Sequence, residues 1–237
     1  MVFGRIPSKS RHLMSASSTD KGLLTPENCA VIFIDHQPQM LLGVDGIERE
    51  ELLNNVVRLA NAAKIFEVPV ILSALQSREF SGNLIPQLLE MFPGQSLIRR
   101  SSMNAWDDPA FVAAVKNTGR RNFLMAGLWS EACLAFPALQ MLEEGYGVYI
   151  VMDASHGANQ VAHEAALRRI EQAGGISLTA LQLLLEFQRD WARTEHYDQV
   201  MAIVKECGCV CDKGDDAIVH KPRTISRTTA KSKEVSK

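Results

Sequence analysis

The segment Phe123-Leu-Met-Ala-Gly-Leu-Trp-Ser-Glu-Ala-Cys133 joins an apolar run, typical of a buried strand, to an amphipathic stretch over residues 131–144 that predicts a helix. In an open α/β sheet, ligands bind at the carboxyl ends of the strands, where such a connection lies. A thiol at the start of a helix sits at the positive end of the helix dipole, which favours the thiolate. The segment therefore predicts an α/β fold and makes Cys133 a candidate nucleophile.

The same alternation of apolar strand and amphipathic helix extends through most of the chain. Predicted strands occupy residues 30–34, 69–72, 97–98, 123–126, 148–152 and 176–178. Predicted helices occupy residues 47–66, 86–92, 131–144 and 163–172, with one more that begins at Asp107-Asp108-Pro109 and C-terminal helices that end near residue 205. Strict alternation indicates a mostly parallel sheet with helices on both faces, folded as one domain.

The chain of 237 residues has an ordinary globular composition, with 46% hydrophobic and 22% charged residues. A net charge of −2 argues against a nucleic-acid binder. No apolar run reaches the roughly 18 residues of a transmembrane helix, and the N-terminus lacks an apolar signal-peptide core. We therefore expect no membrane partner and no specific nucleic-acid partner. Five cysteines, an odd and small number, favour reduced thiols and a cytoplasmic location.

Both ends of the chain differ in composition from the part between them. Residues 1–22 are rich in Ser, Lys and Arg, and two interpretations are open: a disordered extension, or a targeting segment that would make the protein mitochondrial. Residues 23–206 form the predicted domain. Residues 207–237 are predicted to be a flexible tail, with cysteines first and a basic stretch after them.

Three polar residues follow predicted strands: Asp35 after the first, Arg100 after the third and Cys133 after the fourth. Because the carboxyl ends of parallel strands meet at one edge of a sheet, these side chains are expected to lie together. The acid would accept the thiol proton, the cation would keep the acid ionised, and the thiolate would attack a substrate. Taken singly, each residue has an alternative interpretation: a helix cap, a surface charge and a small packing residue, respectively.

Four segments carry a resemblance to a known family. They are Ala30-Val-Ile-Phe-Ile-Asp35-His-Gln37, Arg100-Ser-Ser-Met-Asn-Ala-Trp106-Asp107, Ala126-Gly-Leu-Trp-Ser-Glu-Ala-Cys133 and Val151-Met-Asp153-Ala-Ser155. Over residues 25–205 the chain resembles the isochorismatase-like cysteine hydrolases, and the run from Cys133 to Leu139 is similar to that of the YcaC-type branch. The resemblance implies a Rossmann-like three-layer α/β/α fold, assembly into homo-oligomers and a catalytic triad.

By position, the resemblance makes Asp35 the acid and Cys133 the nucleophile, and it places Arg100 where the wider family has lysine. Arginine keeps its proton, with a pKa above about 12, so a mechanism that needs a neutral lysine is put in doubt while an electrostatic role survives. The resemblance also implies a non-proline cis peptide, expected between Trp129 and Ser130. This bond would direct the amides of Ser130 and Cys133 towards a substrate oxygen. Trp129 is expected to narrow or line the pocket.

Further residues near these motifs are candidates for substrate contact. Gln37, Asn104 and Trp106 are expected to line the pocket, and for Trp106 packing in the core is an equal alternative. Pro137 lacks the N–H that would bond the carbonyl of Cys133 one turn back, so the helix is expected to bend after the nucleophile.

No metal or other cofactor is predicted. Nicotinamidase-type relatives carry an Asp-x-His pair between the second strand and the triad cation, and residues 75–83 have none. His156 and His163 are predicted to be loop and helix-surface residues rather than ligands. Three closely spaced cysteines form either an adventitious cluster or a soft-metal site, with gaps shorter than structural zinc sites use: Cys207, Cys209 and Cys211.

The predicted function is metal-independent hydrolysis of a C–N bond in a small amide-like molecule through a covalent intermediate on Cys133. Two alternatives are open: an isochorismatase-type vinyl-ether hydrolase, which needs no thiol, and an oligomeric or redox-responsive protein of low activity. A dinucleotide-binding module is disfavoured because no Gly-x-Gly-x-x-Gly follows the first strand. The expected partners are a small-molecule substrate and further copies of the chain.

Overall fold

The computed structural model describes residues 22–207, which fold around a six-stranded parallel sheet. The strands are β1 (Cys29–Ile34), β2 (Val70–Leu75), β3 (Leu97–Arg100), β4 (Asn122–Gly127), β5 (Gly147–Val151) and β6 (Ile176–Leu178). Each corresponds to a predicted strand, so the α/β fold with a parallel sheet is confirmed. The predicted extension and tail, with Cys209 and Cys211, lie outside the described residues except for their inner edges.

Eight α-helices connect and cover these strands within the described chain. They are α1 (Pro38–Leu42), α2 (Arg49–Ile65), α3 (Pro86–Met91), α4 (Pro109–Asn117), α5 (Ala135–Glu143), α6 (Gln160–Gln172), α7 (Ala180–Gln188) and α8 (Tyr197–Glu206). Helix α2 packs against α7 and α8, and α5 packs against α6. Two groups of helices result, which is the arrangement of a three-layer α/β/α fold. Between residues 22 and 207 no helix has the length and apolar character needed to span a membrane.

Strand β1 lies at the centre, in the order β3-β2-β1-β4-β5-β6. The chain therefore builds outward from β1 to one edge and then returns to the other side of β1. The reversal lies between β1 and β4, whose register ends at the pair Ile34 and Gly127. Ligands of doubly wound sheets bind at such a reversal, beyond the carboxyl ends of the strands. The residues that follow Ile34 and Gly127 leave the sheet side by side at that place.

The two central strands supply the middle of the core. Every residue of β1 is buried, and so is every residue of β4 after Asn122. The buried runs are continuous instead of alternating because helices cover both faces of the sheet. Full burial of a side chain such as Phe33 or Phe123 contributes roughly 1.5–3 kcal/mol. A closely packed centre of this kind fixes the strand ends that carry the candidate site.

The connection from β4 to α5 differs from the regular helix predicted over residues 131–144. Residues Ser130–Leu134 form a π-helical turn, in which the N–H of Ala135 donates to the carbonyl oxygen of Ser130. Pro137 has no N–H to donate to the carbonyl of Cys133, so the α-helical pattern is interrupted there. This widened turn contains Cys133 and ends before Pro137, and the bend expected after Cys133 stays a prediction.

Helix α4 begins as the sequence predicts. The carboxylate of Asp108 accepts hydrogen bonds from the N–H groups of Ala110 (2.9 Å) and Phe111 (3.1 Å), and Pro109 occupies the first helical turn. The side chain thus satisfies two of the N–H groups that have no partner inside the helix.

We expect Asp108→Ala to lower the free energy of unfolding by about 1 kcal/mol, because two N–H groups at the start of α4 lose their acceptor. Urea unfolding measures the change. Glu171→Ala, at an exposed position of α6, serves as the control and should change the free energy of unfolding by less than about 0.5 kcal/mol. Equal effects of the two substitutions would contradict the capping role of Asp108.

Candidate active site

Asp35 directly follows β1 and anchors the site. Its N–H donates to the carbonyl oxygen of Ser73 (2.9 Å), which extends the ladder between β1 and β2 by one residue. Its backbone then adopts a φ of 58°, a left-handed conformation that costs a non-glycine residue about 1–2 kcal/mol. The chain leaves the sheet at this turn, and the carboxylate of Asp35 is completely buried.

Arg100, the last residue of β3, holds this carboxylate. Its Nη2 donates to Oδ2 of Asp35 at 2.5 Å, and both side chains are buried. Nε donates to Oγ of Ser73 (3.1 Å), and Nη1 donates to the carbonyl oxygens of Ser102 and Met103. Lysine has a single nitrogen and cannot make this set of contacts. Arg100 is therefore a fixed cation beside Asp35.

Cys133 completes a group of three with these residues. The residue is 3% exposed, and its thiol interacts with the carboxylate of Asp35 and with the N–H of Trp129. Burial, together with the negative charge of Asp35, raises the pKa of the thiol to about 12, against the opposing effect of Arg100. The resting thiol is therefore protonated at neutral pH. Burial therefore outweighs the stabilisation of the thiolate that the sequence predicts for a helix start.

One oxygen of the Asp35 carboxylate accepts a hydrogen bond from Arg100, and the other is available as an acceptor. Burial raises its pKa, while the positive charge of Arg100 and the hydrogen bond with the thiol of Cys133 act in the opposite direction. Oδ2 is bonded to Arg100, whereas Oδ1 is buried and has no well-aligned hydrogen-bond partner among the described residues. An acceptor with free lone pairs near a protonated thiol is suited to take up the thiol proton.

The Cys133 turn (residues 128–133) differs from the prediction in two respects. The cis peptide joins Leu128 to Trp129, so the expected position between Trp129 and Ser130 is wrong by one residue. In addition, the N–H of Ser130 donates to the carbonyl oxygen of His156 (3.0 Å) and is not free for a substrate. The N–H that interacts with the thiol is that of Trp129.

The indole of Trp129 is held beside this turn. Its Nε1 donates to the carbonyl oxygen of Met40 (3.1 Å), and its ring meets that of Phe80 edge to face, with 5.8 Å between centroids. A Cβ atom on Gly43 would come within 2.6 Å of the indole, so the close approach requires glycine at that position. The indole is half-buried, and its role as a wall of the pocket stays a prediction.

Gln37 and Asn104 use their amides within the protein. Gln37 is fully buried, donates from Nε2 to the carbonyl oxygen of Leu75 and accepts the N–H of Leu75 at Oε1, both at 3.0 Å. Asn104 accepts the N–H of Trp106 (3.1 Å) and donates to Gln140 (2.6 Å). These contacts support structural roles, and they do not support the predicted substrate contact of Gln37.

Trp106 packs in the core, the alternative that the sequence left open. Its ring lies edge to face with those of Phe111 (6.3 Å between centroids) and Tyr146 (5.6 Å), and its Nε1 donates to Glu144 (2.7 Å). The indole N–H therefore has a partner within the protein, and the ring packs against two aromatic side chains. Substrate contact by Trp106 is not supported.

His163 is buried, which corrects its prediction as a helix-surface residue, whereas His156 lies in the loop between β5 and α6 as predicted and is buried as well. Their rings stack with 4.8 Å between centroids and 13° between planes. The sequence does not reveal this stacked, buried pair, because the part of the α6 surface that is covered depends on the position of the loop that follows β5. Among residues 22–207, no three or more His, Cys, Asp or Glu side chains are grouped in a way that would hold a metal ion.

A cavity of about 600 Å³ lies away from this site, near the residues that precede β1. Two of its charged side chains are used to hold the chain before that strand. Oε1 of Glu186 accepts the N–H of Leu24 (2.6 Å), and Nη2 of Arg189 donates to the carbonyl oxygen of Leu24 (3.0 Å). The cavity contains none of Asp35, Arg100 and Cys133. The candidate site at the carboxyl ends of the strands is therefore separate from this cavity.

Sequence reasoning missed the residues that hold Arg100. Ser73 lies inside the apolar strand β2, and a buried hydroxyl needs a polar partner, so this serine was a usable signal. The carbonyl oxygens of Ser102 and Met103 left no signal in the sequence, because every residue carries a carbonyl group.

Fold and site together define a Rossmann-like α/β/α protein with a buried acid, cation and thiol at the reversal of its strand order. Residues 29–182 match the family model of the isochorismatase domain, and the chain belongs to this family. It is similar to the "Probable hydrolase YcaC" of Escherichia coli (strain K12), with 40% identity over 169 residues, which cover 71% of this chain and 81% of the relative. The predicted family, branch and hydrolase class are confirmed.

Further relatives agree with this assignment. Isochorismatase domain-containing protein 2A of Mus musculus is 26% identical over 195 residues, which cover 81% of this chain and 90% of that protein. The solved structure of YcaC from Pseudomonas aeruginosa has a TM-score of 0.71 and 36% identity, and covers 79% of this chain and 98% of its own. The structure of YcaC from E. coli, described as an octameric hydrolase of unknown specificity, has a TM-score of 0.71 and 34% identity, covering 80% and 98%.

Because the pKa of the Cys133 thiol is raised, the free energy of unfolding falls as the pH becomes alkaline. An unfolded thiol ionises around 9.0, whereas that of Cys133 stays protonated in the folded state until about 12. Stability is therefore lost as the pH rises from 9 to 12, by up to about 1.4 kcal/mol per pH unit. We expect Cys133→Ala to reduce this loss, as measured by urea unfolding across the range.

The buried Cys29 provides a matched comparison, because burial also raises the pKa of its thiol to about 12. Cys29→Ala should remove a similar share of the alkaline loss, and the double variant should remove both. An unchanged pH dependence in all three variants would contradict the assignment of protonated thiols.

Proposed function

We propose that the protein hydrolyses a C–N bond of a small amide-like molecule through a covalent intermediate on Cys133. The observation that carries this proposal is the contact of the protonated thiol of Cys133 with the carboxylate of Asp35, which Arg100 holds at 2.5 Å. A nucleophile, a base and a fixed cation are the groups that such a reaction needs. The buried position of all three favours a small substrate.

The first half of the reaction forms a thioester. Sγ of Cys133 attacks the carbonyl carbon, and the thiol proton passes to Asp35 as the C–S bond forms. Asp35 then gives this proton to the nitrogen of the leaving group, and the C–N bond breaks. A proton held by sulfur at rest and transferred only during attack agrees with the raised pKa of the thiol.

The second half regenerates the thiol. Water attacks the carbonyl carbon of the thioester and gives a proton to Asp35. The C–S bond then breaks, and Asp35 returns its proton to the sulfur of Cys133. Arg100 keeps its own proton throughout, because a guanidinium is not deprotonated in proteins. Its role is to stabilise the ionised form of Asp35 between the two proton transfers.

The oxyanion of each intermediate needs hydrogen-bond donors. We assign this role to the backbone N–H groups of Trp129 and Cys133, in place of the Ser130 amide considered from the sequence. The N–H of Trp129 interacts with the thiol, so it lies near the atom that would carry the substrate carbonyl. Removal of one such donor typically lowers a rate by about 10²–10³.

A relative supports a reactive group in this family. The structure of YcaC from Pseudomonas aeruginosa contains hexane-2,5-diol and covalent acrylamide. Acrylamide is a small primary amide with an electrophilic alkene, so it combines the substrate group proposed here with a site for thiol addition. We infer that Cys133 would react with it in this protein.

We also propose that the protein assembles into homo-oligomers in the cytoplasm. YcaC from E. coli is described as octameric. Of the large apolar side chains exposed on the described surface, the three with the greatest exposure are Leu42, Met103 and Val161. Cys29 and Cys133 are free thiols, which fits a reducing compartment. The mitochondrial alternative depends on residues 1–22.

The reaction with acrylamide tests the proposed function. Sγ of Cys133 should add to the β-carbon of acrylamide while the thiol proton passes through Asp35 to the α-carbon. We expect peptide mass spectrometry at neutral pH to find the adduct on Cys133 at least about tenfold faster than on Cys29, whose pKa is equally raised but which has no Asp–Arg pair.

Asp35→Asn should slow formation of the adduct by about 10² or more, because the base is lost while the size of the side chain is kept. Cys133→Ala should remove the adduct and any hydrolysis of a small-amide panel. Equal labelling of Cys133 and Cys29 would contradict the proposal. Hydrolysis of isochorismate that survives Cys133→Ala would instead favour vinyl-ether chemistry, which needs no thiol.

A further inference from the structure

Ser130 begins the π-helical turn that carries Cys133, and the segment after β5 binds it at two points. Its N–H donates to the carbonyl oxygen of His156 at 3.0 Å. Its hydroxyl lies 2.8 Å from Nδ1 of His163, a residue of α6. Ser130 is completely buried, so both bonds are shielded from water. The position of the turn is therefore coupled to that of α6.

The ring of His163 is held in place by its surroundings. It stacks on the ring of His156 at 4.8 Å between centroids. Nδ1 of His156 donates to the carbonyl oxygen of Gly157 (2.9 Å), and its Nε2 lies 3.2 Å from Oε1 of Gln160. The bond from Nδ1 to Gly157 orients the ring of His156, which gives His163 a fixed surface on which to stack.

The charges around the histidine pair favour a neutral His163. Burial lowers its pKa to about 4, His156 acts in the same direction, and Glu164 acts against it. Glu131 faces the same loop, with Oε1 accepting the N–H of Ala158 (3.1 Å) and Oε2 buried without a partner in the described chain. A neutral ring shares one hydrogen bond with the hydroxyl of Ser130 at physiological pH.

We propose that His163 is a positioning residue: through its hydrogen bond to Ser130, and supported by the stacked ring of His156, it holds the Cys133 turn so that the thiol stays in reach of Asp35. Ser130 lies only three residues before Cys133 in one five-residue turn, so a shift of Ser130 moves the sulfur directly. The inference rests on the proposed function, since it concerns the alignment of the nucleophile.

Two substitutions at position 163 separate the hydrogen bond from the size of the side chain. The amide of asparagine places a polar atom near the position of Nδ1, whereas that of glutamine places it near Nε2. His163→Gln should slow the acrylamide reaction of Cys133 about tenfold, the rate equivalent of one lost hydrogen bond. His163→Asn should stay within about threefold of the unmodified protein.

Ser130→Ala should slow the reaction as much as His163→Gln, and the double variant should be no slower than either single variant. His196→Gln is the matched control, because His196 also packs on an aromatic ring, that of Phe66 at 4.8 Å, but lies far from the site. It should leave the rate unchanged. Thermal unfolding of each variant shows whether a slow rate follows loss of stability, and Ser130→Ala keeps the test open if His163→Gln does not fold.

The outcomes distinguish this inference from the proposed function. If Cys133 of the unmodified protein does not react faster than Cys29, the proposed function fails and the positioning role fails with it. If Cys133 reacts but His163→Gln and Ser130→Ala do not slow it, the positioning role alone is overturned. A loss in His163→Asn equal to that in His163→Gln also overturns it, because the effect would then follow from the ring and not from the hydrogen bond.

Discussion

The buried ion pair between Asp35 and Arg100 is the interaction on which the site depends. It joins the end of β1 to the end of β3 across β2, and Ser73 of β2 contributes its hydroxyl to Arg100 and its carbonyl oxygen to the backbone of Asp35. Removing two charges from water costs several kcal/mol per ion, which only close contact and further hydrogen bonds offset. The guanidinium has these bonds, to a hydroxyl and two carbonyl oxygens, so the pair is held in one geometry.

Burial and this ion pair together determine the resting state of the thiol. Because the charge of Arg100 is already matched by Asp35, little positive field remains to stabilise a thiolate, and burial keeps the proton on Cys133. In the reaction proposed here, the resting proton is on the sulfur of Cys133 and the negative charge is on the carboxylate of Asp35. As the thiol attacks, its proton moves to the carboxylate of Asp35. The substrate carbonyl and the amides of the Cys133 turn can then receive the developing negative charge.

Sequence patterns predicted the features that repeat or that follow strand ends. The apolar run of β1, the cap of α4 and the gathering of Asp35, Arg100 and Cys133 all follow from local composition and parallel topology. Hydrogen-bond partners that are distant in the sequence could not be predicted. Gln37 bonds to the backbone of a residue 38 positions away, and Ser130 bonds to a histidine 33 positions away. The cis peptide was misplaced by one residue, since nothing in the sequence of the turn distinguishes one bond from the next.

A double-mutant cycle on the free energy of unfolding tests the central claim that Asp35 and Arg100 act as one buried unit. Asp35→Asn and Arg100→Met each leave one polar or charged partner buried alone, and each should destabilise the protein by about 3–5 kcal/mol. The double variant should be more stable than the sum of the two effects predicts, by about 2 kcal/mol or more. Strictly additive effects would show that the two side chains do not depend on one another, and would contradict this account.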